Sequence, residues 1–109
     1  MSRITLVLFG AIVLFACNKN KAYVPVCEST VPVTYTSHIK TIIDDNCMNC
    51  HDAGSNDGAY NTYNALSGVT SNGTFEQVVL VDKSMPKFSN LEESELNLIK
   101  CWVENGYAE

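Results

Sequence analysis

Cys47-Met48-Asn49-Cys50-His51 is the stretch on which the fold turns. Two thiols three residues apart share one turn if the backbone there is helical, and the imidazole of His51 follows directly. The residues before it are helical by pattern. Tyr35, Ile39, Ile42 and Ile43 fall at i, i+4, i+7 and i+8, on one face. This spacing predicts a helix over 36–46. The residues after it are not helical: 52–59 read Asp-Ala-Gly-Ser-Asn-Asp-Gly-Ala, a loop dense in turn formers.

Further along, a short helix is expected over 62–66, stopped at Gly68, with a loop over 67–73. Residues 74–81 are apolar and β-branched, and the pattern leaves strand and short helix open. Ser84-Met85-Pro86 breaks any regular element. The last helix is the clearest. Ser89 with Glu92, or Asn90 with Glu93, offers a capping box. Glu92, Glu93 and Glu95 crowd its first turns, where the helix dipole favours negative charge. Leu96, Ile99, Trp102 and Val103 line one face, and Asn105-Gly106 ends it.

The start of the chain sets the compartment. Met1-Ser2-Arg3 precedes a charge-free, mostly apolar run over 4–16, too short for a stable membrane span, which needs roughly 20 apolar residues. It reads as an export signal. Leu14-Phe15-Ala16-Cys17 resembles a bacterial lipobox, with Phe15 where a smaller residue is usual. The resemblance implies cleavage before Cys17 and acylation of its thiol. The expected organisation is a signal peptide over 1–16, a lipid-anchored tether over 17–33 with an irregular strand leading into the domain, and one domain over 34–109. Removing 16 of 109 residues leaves 93, enough for one small domain that needs a covalent or cofactor staple. The formal charge is −5, and loss of Arg3 makes it −6, which argues against nucleic-acid binding.

Five cysteines are present. With Cys17 given to lipid, Cys47 and Cys50 form a close pair, and Cys27 and Cys101 are left as a candidate disulfide in a compartment that permits one. C-x-x-C-H is the attachment pattern of c-type haem. Two thiols on one turn can each bond a vinyl group of one porphyrin, and the adjacent His51 can offer a ring nitrogen to iron. C-x-x-C also serves zinc sites and thioredoxin-like dithiols. The dithiol reading lacks a surrounding βαβ pattern. An all-thiolate zinc site would need Cys27 and Cys101, which stand far apart in sequence rather than as a second close pair. Export and the flanking helix favour haem. So does Met85, which lies 34 residues after His51 in a Met-Pro step before the last helix.

On Cys47, Cys50, His51, Met85-Pro86 and the closing helix over 96–106, the chain resembles a small monohaem cytochrome c of the class I type, across roughly residues 35–107. The cysteines at 27 and 101 are similar to those of lipid-anchored bacterial relatives. The resemblance implies an all-α bundle of three to four short helices with long loops, wrapped around one covalent haem. It implies an N-terminal helix crossing a C-terminal one, here 36–46 and 91–105. It also implies His51 as proximal and Met85 as distal iron ligand. A core methionine is the ordinary alternative for Met85, His38 is the rival ligand, and an open distal position is the third outcome.

The function so implied is electron transfer, not enzymatic catalysis, by an exported lipoprotein that meets redox partner proteins at a membrane surface. The alternatives are a five-coordinate haem domain binding gas or peroxide, and a relay module of a larger oxidoreductase complex. Arg is absent after Arg3, so no guanidinium stands ready to polarise a bound peroxide. Oligomeric state is not legible.

Overall fold

Thr34 begins the first helix. Its backbone is extended and its hydroxyl accepts the Ser37 N–H at 3.3 Å, an N-cap bond that satisfies one otherwise orphaned donor. In this computed structural model, which describes residues 22–109, all regular structure among the described residues is helical. A wide π-helical turn over Tyr35–Ile39 runs straight into α1 (Lys40–Asn46). After Cys47, α2 (Met48–His51) is a single turn that carries Cys50 and His51. α3 spans Tyr63–Ser71, and α4 (Thr74–Glu76) passes into a second π-helical turn over Gln77–Val81. α5 (Glu93–Glu104) closes the fold.

Two differences from the sequence reading, and one choice it left open, have physical causes. α3 runs through Gly68 to Ser71. Gly68 faces open space, and an exposed helical glycine costs only about 1 kcal/mol. The stop is Gly73, whose φ of 80° takes the chain out of the helix. Residues 74–81 resolve as helix because Phe75, Val79 and Leu80 are the buried ones while Val81 is exposed. That is a helical face, not an alternating one. The capping box of α5 closes between Glu92 and Glu95: the Glu95 carboxylate accepts the Glu92 N–H at 2.8 Å, so neither Ser89 nor Asn90 is the cap.

The core joins the first helix to the last. Val33, Ile39, Ile43, Leu66, Ile99 and Trp102 are almost fully buried. Tyr35 packs against Trp102 with ring centroids 6.1 Å apart, and Phe75 meets the same indole edge-on at 5.8 Å. The C-terminal tail seals this junction: the Ala108 carbonyl accepts both the Tyr35 N–H at 2.8 Å and the Trp102 indole N–H at 2.7 Å. Where α1 ends, the Asn46 amide donates to the Glu95 carboxylate at 3.2 Å and ties it to the first turn of α5.

Residues 22–33 form no strand. They are fastened to α5 instead. Cys27 and Cys101 are disulfide-bonded across a sequence separation of 74. The Asn97 side-chain oxygen accepts the Tyr23 hydroxyl at 2.8 Å and the Val26 N–H at 2.9 Å. The expected signal peptide and Cys17 lie outside the described residues. Among the described residues no helix is long and apolar enough to cross a membrane.

Candidate functional site

α2 follows α1 directly after Cys47, whose N–H donates to the Ile43 carbonyl at 2.9 Å. The Cys47 carbonyl accepts the N–H of Cys50 at 3.2 Å and of His51 at 3.0 Å. That turn opens onto an apolar cleft of about 670 Å³, counted out to the solvent at its mouth. Ile43, Leu66 and Phe75 form part of its wall. Cys47, His51 and Met85 line the same cleft, so two side chains 34 residues apart in sequence face one space. Cys50 stands exposed on the same turn and is not part of the lining. His38 is elsewhere: its Nδ1 accepts the Thr34 N–H at 3.3 Å.

His51 is held in one orientation. Its Nδ1 lies 2.8 Å from the Gly58 carbonyl oxygen. A carbonyl only accepts, so Nδ1 carries a proton, and in the neutral ring the lone pair is then on Nε2. This is how a metal-binding imidazole is fixed, with the second nitrogen donating to a backbone oxygen. Tyr60 stacks on the ring at a centroid distance of 4.6 Å, and its own N–H donates to the His51 carbonyl at 2.9 Å.

Gly58 and Tyr60 were not singled out by the motif. The available signal was the Asp57-Gly58 turn seven residues after His51. Gly58 has φ of 101°, and a Cβ there would sit 2.6 Å from the Tyr60 hydroxyl oxygen. Gly58→Ala is therefore expected to push Tyr60 off the imidazole and open the turn, at a cost of about 1–3 kcal/mol. A lowered urea midpoint at unchanged m-value would record it. An unchanged midpoint would contradict this account of the turn.

The Cys47 thiol is not poised for disulfide exchange. Cys47 is half-buried. Loss of solvent, and secondarily the Glu95 charge, push its thiol up to about 11. Redox-active dithiols need a lowered value that supplies thiolate near ambient pH. Cys27 and Cys101 are bonded to each other, so neither is left as a zinc thiolate. Among the described residues no group of three or more Cys, His, Asp or Glu is gathered as a metal site.

No family model matches the chain, nor does any curated protein or solved structure. The case for function rests on the site itself. An apolar cleft, an oriented imidazole, two unbridged thiols on one turn beside it and a thioether in the same lining are the donor types that haem c would take.

Proposed function

We propose that this protein is a monohaem c-type electron carrier of the class I cytochrome c kind. Cys47 and Cys50 would hold the haem through thioethers, and His51 and Met85 would ligate its iron. The single observation that carries this reading is that His51, its Nδ1 already committed to Gly58, and Met85 line one apolar cleft with Cys47. Bound haem would supply a one-electron couple between ferric and ferrous iron. The chain's part is to set the terms of that couple. The Met85 sulfur is a soft donor that favours the ferrous state and raises the potential relative to two imidazoles. The Ile43, Leu66 and Phe75 wall excludes water and acts in the same direction. The exposed Cys50 edge is where a partner would approach, through the small contacts usual for redox encounters.

The reading extends to placement. Acylation of Cys17 in an exported chain would hold the domain at a bacterial membrane surface, facing the periplasm or the cell exterior, where its partners are redox proteins. A freely encountering carrier and a relay module of a larger oxidoreductase complex would use the same site and differ in what contacts it.

A pyridine haemochrome assay on the exported protein is expected to show one c-type haem per chain. Met85→Ala is expected to abolish the red-end Met–iron absorption band, lower the potential and admit carbon monoxide to the ferrous protein. Wild type that binds carbon monoxide as readily as Met85→Ala would favour the five-coordinate sensor.

A further inference from the structure

Lys83 is the buried charged residue among the described core, 9% exposed, and its backbone is left-handed with φ of 48°. Each condition is unfavourable alone. A buried ammonium must be hydrogen-bonded, and a side-chain-bearing residue at positive φ is strained. Such residues persist where the surroundings over-determine them. Here the surroundings are identifiable. The Lys83 ammonium donates to the Tyr23 carbonyl and lies 5.7 Å from the centre of the Tyr23 ring. Tyr23 is in turn fixed to α5 through Asn97, one turn before the Cys27–Cys101 bridge. Two residues beyond Lys83 is Met85. The Ser84 and Met85 N–H groups both donate to the Val78 carbonyl, at 2.9 and 3.1 Å, so this short loop folds back on the second π-helical turn.

We infer that Lys83 is a positioning residue for Met85. It bolts the loop to the Tyr23 carbonyl and thereby holds the Met85 thioether at the cleft wall. The Tyr23 segment is then part of the site's support. The inference rests on the reading of Met85 as an iron ligand.

Three variants of the full-length, haem-loaded protein test it. Lys83→Met keeps the stem and removes the donor. Lys83→Gly takes positive φ without strain and removes the donor as well. Lys83→Arg keeps a charged donor. In the Met and Gly variants, hydrogen exchange at the Ser84 and Met85 amides is expected to accelerate about tenfold, with the α5 core amides unchanged, as for loss of one charge-assisted bond. The Met–iron band should weaken and carbon monoxide binding should speed up in step, and Lys83→Arg should restore both. Wild-type exchange and carbon monoxide exclusion in both variants would overturn the inference, and so would acceleration spread evenly over all amides. A wild type without the Met–iron band, in variants whose Ser84 and Met85 amides still exchange faster, would instead overturn the ligand assignment while leaving the loop anchor in place.

Discussion

Replacing Cys47 and Cys50 together by serine is expected to leave a colourless chain that melts without a cooperative transition. The residues that would face the haem are core residues in the same sense as those that face each other: Ile43, Leu66, Phe75 and Val79 are buried, and all four line the cleft. Beside them Cys47, Val69 and Val78 line the cleft and are only partly buried, so with nothing tied into it this apolar surface fronts water, and burial worth roughly 25 cal/mol per Å² is forgone. A domain of this size holds only a few kcal/mol in reserve. Absorbance in the Soret region and far-ultraviolet circular dichroism through a thermal ramp measure both halves of the expectation. A compact double variant with a sharp melt would show that the remaining core suffices and that the haem argument from stability is mistaken.

Removing the other cysteine pair should have the second largest effect. Cys27→Ala/Cys101→Ala opens a loop of 74 residues, for which chain entropy gives a loss of roughly 2–5 kcal/mol. At the usual sensitivity of small domains the melting temperature should fall by on the order of 10–30 °C. Cys101 is 1% exposed, so alanine rather than serine avoids stranding a hydroxyl in the core. Wild type melted with and without dithiothreitol should reproduce the same gap. Coincident melts would mean that the bridge adds nothing beyond the Asn97 and Val33 contacts of the same segment.

Where periodicity was long and unambiguous, the sequence was readable. Tyr35, Ile39, Ile42 and Ile43 are buried as one face, and Leu96, Ile99 and Trp102 as another. Local punctuation was less dependable. Gly68 looks like a helix stop but points into open space, whereas Gly73, with its positive φ, ends the helix. The run from 74 to 81 is β-branched, yet packing of Phe75, Val79 and Leu80 overrides that propensity. In the site, the motif pointed to Cys47, Cys50 and His51, and the Met-Pro step to Met85. What sequence could not expose were supports acting through the backbone. The Gly58 carbonyl and the Tyr23 carbonyl carry no side-chain signature, and each matters only because of what the fold brings to it. Lys83 reads as an ordinary surface cation until its 60-residue reach to Tyr23 is seen.

The fastening of Tyr23 to α5 also shortens the leash. With Cys17 acylated, five residues would separate it from the first anchored position, Tyr23, at most about 20 Å of extended chain. If the chain is the lipid-anchored carrier proposed above, so short a leash would keep it from roaming a wide gap between membranes. It would skim a layer about one domain deep and trade electrons by lateral collision with whatever else is moored to the same bilayer.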